Sequence, residues 1–337
     1  MLRVPDYFED FRCLAGACPH SCCEAWEVVL DEATVKRYRA LPGPLGDKLR
    51  AAMEQREEEV CFPLRGGRCP FWDTDNLCEI HKALGAEATS ETCRAHPRFI
   101  EEYDGNIREV TLAASCPAAN ELLLSSADPL TFPVTEAGEV PEDLVPLFAL
   151  RERMLTLVQE GEMPMKERLF WLLALAEEAQ AALDREEEEL LLDLAEAELS
   201  CGADGSPSGE PLFPAALEAL GELEILGGDW PELLEAGKTA PGLDLEEHAA
   251  LLGRICAYFL FRWVCKAVGD GDLLSKVQLA LLGTLTAARL GSLCGLGEAL
   301  RRFCREVEHS GENLDALQEK FCFDERLWPE RFFAAFK

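Results

Sequence analysis

The sequence predicts an α+β fold, mostly α-helical, in which an irregular cysteine-rich N-terminal region packs on a helical C-terminal domain. Two observations predict it. Nine of the fifteen cysteines, Cys13, Cys18, Cys22, Cys23, Cys61, Cys69, Cys78, Cys93 and Cys116, crowd into the front of a 337-residue chain, among breaks at Pro19, Pro63, Pro70, Pro97 and Pro117. Beyond residue 143 the pattern changes to long segments with apolar residues three and four apart, the spacing of helices buried on one face. The length allows two domains: a cysteine-rich one over 1–125, a linker over 126–143 with three prolines, and a helical one over 144–337.

In the front region the periodicity predicts a helix over 32–41 with Asp31 as its cap, and a second over 45–59. Short strands are expected over 60–64 and 107–113, with Asp104-Gly105 as a hairpin turn because glycine tolerates positive φ. Residues 116–125 open on Cys-Pro-Ala-Ala, and proline suits a first helical turn. In the back region helices are expected over 144–160, 166–199, 214–226, 245–267, 273–288 and 297–310. The run Glu186-Glu187-Glu188-Glu189 reads as a solvated face, and 201–214 as a polar loop. The stretch 314–337 carries Phe321, Phe323, Trp328, Phe332, Phe333 and Phe336, a density that predicts docking onto the rest of the protein.

The formal charge of −31, from 63 acidic and 32 basic side chains, argues against a nucleic-acid partner and for basic or neutral ones. The opening residues carry Arg3, Asp6, Glu9 and Asp10, unlike a signal peptide. No uncharged apolar stretch reaches about eighteen residues; 279–288 ends at Arg289. The expectation is a cytoplasmic protein without a membrane partner. In a reducing compartment crowded cysteines are ligands or catalysts rather than disulfides, and their odd total leaves one sulfur unpaired in any disulfide scheme.

The chemistry therefore lies in the thiols. Soft sulfur selects zinc, copper(I) or iron–sulfur clusters. The first group reads Cys13-x4-Cys18-x3-Cys22-Cys23, where short loops let sulfurs converge. The second comprises Cys69-Pro-Phe-Trp-x5-Cys78, Cys93-Arg-x2-Pro-Arg and Cys116-Pro. Four sulfurs suffice for tetrahedral zinc or a [4Fe–4S] cluster, so the nine in this region exceed one site and could fill two. The candidate metal ligands are Cys13, Cys18, Cys22, Cys23, Cys69, Cys78, Cys93 and Cys116; spacing does not choose four among them. Cys61, among apolar residues, is the weakest member. His20, His81 and His96 are expected beside the site or on the surface. Cys256, Cys265, Cys294, Cys304 and Cys322 read as small buried hydrophobes. The chain has no GxGxxG after a strand, no phosphate-binding GxxxxGK[ST] and no three-cysteine loop spaced x3 then x2. Gly291-x3-Gly295-x-Gly297 reads as a turn.

At these residues the chain resembles the flagellin lysine N-methylase family. The matching stretches are Phe11-Arg-Cys-Leu-Ala-Gly-Ala-Cys-Pro-His-Ser-Cys-Cys with Trp26 after it, Gly67-Arg-Cys-Pro-Phe-Trp-Asp-Thr-Asp-Asn-Leu-Cys-Glu-Ile-His-Lys, Thr92-Cys-Arg-Ala-His-Pro-Arg and Ser115-Cys-Pro. The likeness extends to Tyr258-Phe-Leu-Phe-Arg-Trp and Gly271-Asp-Leu-Leu. The front motifs are shared in part with small zinc- or iron-chelate-binding proteins, whose leading cysteines are usually spaced more tightly than here. The resemblance implies a [4Fe–4S]-containing enzyme that moves a methyl group from S-adenosylmethionine to lysine on a protein substrate, flagellin being one candidate. The alternative is a non-catalytic zinc- or iron-binding interaction protein. Under the first reading Arg94 and Arg98 are candidates to pair with the donor's carboxylate. Trp26, Phe71 and Trp72 are candidates to shield the centre or face the sulfonium, and Asp73 or Asp75 is a weaker catalytic candidate. Whether the cluster binds the donor or only clamps loops stays open, as does the oligomeric state.

Overall fold

The computed structural model describes residues 1–24, 27–56, 58–198 and 210–336. Trp26, Cys201 and the greater part of the expected 201–214 loop lie outside the described residues.

Two small sheets form in the front region. Strands β1 (Leu2–Arg3), β2 (Val28–Leu30), β3 (Glu54–Arg56), β4 (Glu59–Phe62), β5 (Arg98–Tyr103), β6 (Ile107–Leu112) and β7 (Val134–Glu136) arrange as a four-stranded sheet in the order β5-β6-β1-β7 and a three-stranded one in the order β2-β4-β3. β5 and β6 are an antiparallel hairpin pairing Arg98 with Leu112 and Tyr103 with Ile107. Its turn lies where Asp104-Gly105 predicted it, with Gly105 at φ 74. β1 is clamped between β6, to which it runs parallel, and β7, to which it runs antiparallel.

The first helix, Glu32–Ala40, begins as expected: Asp31 Oδ1 accepts from Thr34 N at 2.9 Å. The second differs. It spans Gly43–Ala52, and the chain then turns into β3 and β4, because Glu54–Val60 offers no apolar face at helical spacing for a core to bury. Residues 126–143, expected as a linker, carry β7 and bury Leu130 and Phe132. The expected 166–199 helix is Met165–Asp184 followed by Leu190–Glu196, separated by a turn in which Glu186 adopts φ 58. Trp230–Gly237 is a helix the periodicity did not single out.

Two apolar cores result. The smaller gathers Val28, Leu30, Val35, Tyr38, Leu49, Phe62, Phe71 and Ile80 under the three-stranded sheet. The larger is built by the helices, and also takes in Tyr7, Ile107, Leu112 and Leu123 from the front of the chain. Its axis is Leu273–Cys294, which packs on Met165–Asp184, Ala249–Trp263 and Leu296–Glu308. Gly283 permits that approach, since a Cβ there would come within 2.7 Å of the Phe259 ring. This helix is long and apolar enough to cross a membrane, but 78% of its most apolar window is buried inside the protein, as befits a core helix. Gly295, at φ 87, ends it, so the glycine cluster is a turn as expected.

The aromatic tail docks only in part: Phe321, Phe332 and Phe336 are buried, whereas Phe323 is 80% exposed and Trp328 43%. Of the back-region cysteines, Cys256, Cys265 and Cys304 are buried as expected. Cys294 is half-buried and Cys322 exposed, each lying where its helix turns toward solvent.

Candidate functional site

Backbone pairing brings the cysteine segments together. Cys69 N donates to Cys23 O at 2.8 Å, and a bridge joins Glu24 to Arg68. Trp72 bridges Cys78, and Glu79 N donates to Phe71 O at 2.9 Å. Cys78 thereby becomes the N-cap of the helix Glu79–Leu84. Ser90 caps Glu91–Ala95 by accepting from Cys93 N at 3.2 Å. That short helix is tied to the first one because Glu91 N donates to Asp31 Oδ2 at 2.8 Å. Cys116 caps Pro117–Leu123 in turn.

The sulfurs form two neighbourhoods. In the first, Cys22, Cys23 and Cys69 interact closely enough to titrate together, which holds Cys23 below the usual thiol range and pushes Cys22 and Cys69 above it. Cys93, exposed to solvent, and the half-buried Cys78 interact electrostatically with Cys23. In the second neighbourhood Cys13, Cys18 and Cys116 interact with one another, and Cys13 also reaches Cys22. The backbone amides of Ala118 and Ala119, at a helix start, oppose the burial that raises Cys116. Cys61 stands apart in β4, buried, with its Sγ 3.7 Å from Glu27.

The chemistry of the donor set suits a thiophilic group, since the side chains that gather here are chiefly soft thiols. Among the described residues no three His, Cys, Asp or Glu side chains stand in metal-binding geometry.

The other sequence candidates are placed as follows. The Arg94 guanidinium is held by the carbonyls of Thr89 and Glu87. Arg98 lies over the rings of Phe8 and Phe11, 5.7 and 5.6 Å from their centroids. Trp72 stacks under Arg68 at 4.3 Å, and its buried Nε1 lacks a hydrogen-bond partner. Asp73 and Asp75 build a turn: Asp73 Oδ1 accepts from the amides of Asp75 and Leu77, and Lys82 bridges the two carboxylates at 2.7 and 2.9 Å. His20 faces Glu298 at 3.9 Å.

A buried polar network adjoins the thiols, and most of it escaped sequence reasoning. His96, three residues after Cys93, interacts with Cys23 and packs 5.9 Å from the ring of His309. His309 Nε2 is 2.6 Å from Ser115 Oγ, next to Cys116. Burial lowers His96 to about 4 and His309 to about 3, so both are neutral. Phe99 lies between His309, at 5.4 Å, and the guanidinium of Arg262, at 3.2 Å. Arg262 Nε donates to Glu308 Oε1 at 2.7 Å, and Tyr258 OH donates to Glu308 Oε2 at 3.0 Å. Tyr258 OH also accepts from Ala114 N at 3.3 Å. The chain thus joins Thr92–Arg98, Ser115-Cys116 and Tyr258–Trp263, three of the stretches that carry the family resemblance. The signal for Tyr258 and Arg262 was their spacing of four within an apolar helix, which puts both on one face. Glu308 and His309 close the helix read only as amphipathic.

No family model matches the chain, and no solved structure does. Over 160 residues it is 29% identical to a lysine-N-methylase of Salmonella choleraesuis, a match covering 45% of this chain and 40% of that protein. A lysine-N-methylase of Salmonella typhimurium matches with the same identity and coverage. The chain therefore spans well under half the length of these two relatives. The flagellar biosynthetic protein FliU of Salmonella muenchen is 32% identical over 131 residues, which is 37% of this chain but 77% of that one. With most of FliU spanned, and the methylases agreeing with the resemblance carried by the cysteine motifs, the chain belongs to the flagellin lysine N-methylase family.

Proposed function

We propose that this protein is an S-adenosylmethionine-dependent protein lysine N-methyltransferase carrying a [4Fe–4S] centre, with flagellin as the leading substrate. The names of its relatives carry the reading. The thiol neighbourhood of Cys22, Cys23, Cys69, Cys78 and Cys93 beside the network ending in Glu308 supports it. All described cysteines are free, which fits a cytoplasmic protein.

In the reaction the lysine nitrogen attacks the sulfonium methyl, the new C–N bond forming as the C–S bond breaks and its electrons return to sulfur. The amine must first lose a proton, and with a pKa near 10.4 only about one lysine in a thousand is neutral at pH 7. The acidic surface of this chain attracts the cationic side chain. The buried hydroxyl–carboxylate pair of Tyr258 and Glu308 provides a place for the released proton. Cys22, Cys23, Cys69, Cys78 and Cys93 would hold the inorganic centre, with zinc as the alternative to iron. When bound, it supplies a covalent clamp on these loops and, if one iron is left open, a Lewis-acidic contact for the donor.

The test is mass spectrometry of flagellin, or another lysine-rich protein, after incubation with the anaerobically loaded protein and S-adenosylmethionine. Gains of whole methyl groups on lysine support the proposal. Unchanged mass with no donor binding overturns it and favours the non-catalytic metal-binding alternative. Visible absorption by the loaded protein distinguishes iron–sulfur from zinc.

A further inference from the structure

The guanidinium of Arg262 is a buried cation, paired to Glu308 on one side and left with an unmatched terminal nitrogen. Its side chain is 3% exposed. Glu308 engages Nε at 2.7 Å, and the cation is stacked on Phe99 and Trp263, 3.2 and 4.6 Å from their centroids. The terminal nitrogen Nη1 is buried and has no hydrogen-bond partner. Arg151 Nε and Arg153 Nε are also buried without a partner, but neither is a terminal nitrogen of the guanidinium fork. Arg151 is forked onto Glu109 through both terminal nitrogens at 2.6 and 2.5 Å. Arg254 donates to the carbonyls of Leu123 and Asp128 at 2.8 and 2.6 Å. Orphaned hydroxyl and indole groups occur elsewhere, at Tyr7, Tyr103 and Trp263. A permanently charged donor costs more to leave unmatched than these neutral ones. A guanidinium also has the geometry for a carboxylate.

The position of this orphan is informative. Phe99, against which Arg262 is stacked, also contacts His309, which reaches Ser115 beside Cys116 and packs on His96 beside the thiol neighbourhood. Arg94 and Arg98, the candidates the sequence offered for a carboxylate, are spent on carbonyls and aromatic rings. We propose that Arg262 anchors the α-carboxylate of the methyl donor's amino-acid end, with Nη1 as the contacting donor and Glu308 holding the guanidinium in place. This rests on the methyltransferase reading. The ligand is an amino-acid zwitterion, so its ammonium balances the charge its carboxylate brings to the Arg262–Glu308 pair.

The test compares two ligands by calorimetry on the loaded full chain: S-adenosylhomocysteine, which has the carboxylate, and methylthioadenosine, which lacks it. The parent is expected to prefer S-adenosylhomocysteine by about 10- to 100-fold, the usual worth of a charge-assisted bond. R262K keeps a cation opposite Glu308 but loses the fork, and the doubly neutral R262Q/E308Q avoids stranding a buried carboxylate. Both are expected to weaken S-adenosylhomocysteine toward the methylthioadenosine value while leaving methylthioadenosine unchanged. If the parent binds S-adenosylhomocysteine and folded variants bind it as tightly, the anchor is wrong and the methyltransferase reading stands. If the folded variants lose both ligands alike, Arg262 is structural and the anchor is again wrong. If the loaded parent binds neither ligand, both proposals fall.

Discussion

Ser115 Oγ and His309 Nε2 meet at 2.6 Å across 194 positions of sequence, and their contact fastens the cysteine-rich front of the chain to the end of a core helix. Through this contact, chemistry at the thiols and packing among the helices share one set of atoms.

Acid is expected to weaken this junction. His96 and His309 are held by burial to about 4 and about 3, whereas an unfolded imidazole titrates near 6.5. Between about pH 4 and 6.5 the unfolded chain therefore binds protons that the folded chain refuses. Stability contributed by the two rings is complete above about pH 6.5 and falls as the pH drops, by about 1.4 kcal/mol per unit for each histidine. Urea denaturation of the parent and of His309→Gln at several pH values checks this. The variant should show a shallower dependence in that window, and equal slopes would refute the assignment.

Metal retention should follow the two sulfur neighbourhoods. If the parent binds iron or zinc as proposed, Cys23→Ser and Cys69→Ser are expected to lose most of it, because each removes a member of the coupled trio. Cys322→Ser, at an exposed position in the tail, should keep it all. Elemental analysis of anaerobically prepared material decides. Loss of metal from all three variants alike would show that the front sulfurs have no special part in binding.

The forked pair of Glu109 and Arg151 joins β6 to the helix Val145–Gln159, with side chains 2% and 0% exposed. Glu109→Gln leaves a buried cation short of its counter-charge and is expected to cost about 3–5 kcal/mol. Replacing both residues by apolar ones of similar size should recover much of that loss. Thermal and denaturant melts of the single and double variants test it.

Asp31 has two tasks, capping one helix through Thr34 N and holding the next through Glu91 N. Burial opposes its ionisation, yet these bonds keep its pKa at about 2. Asp31→Ala should cost about 1–2 kcal/mol, the worth of a strong cap. It should also speed alkylation of Cys93, on the helix that Glu91 begins, with Asp31→Asn intermediate. An unaltered alkylation rate would mean that the Glu91 bond does not position that helix.

The sequence carried local structure well wherever a local signal existed. Asp31 announced its cap, Asp104-Gly105 its hairpin, and the spacing of Leu and Ala the core helix from Leu273, which runs six residues past the expected end at 288. It failed where the deciding interaction is distant. Residues 54–56 and 59–62 became strands because Val28–Leu30 offered an edge, and 134–136 paired with β1 from the far end of the region. The same holds for the site. Cysteine crowding marked the thiols, but the partition of Cys13, Cys18 and Cys116 from the Cys23 group depends on helix placement. Glu308, His309 and the matching of Arg151 to Glu109 are contacts between separate elements, and no spacing encodes them.

The clamping of β1 between β6 and β7 has a consequence for biosynthesis. Once synthesised, β1 cannot find either neighbour until more than a hundred further residues have been made. The nascent thiols are therefore exposed before the scaffold that gathers them exists. Gathering of the thiols is a late event, and oxidation during translation is the hazard this architecture must survive.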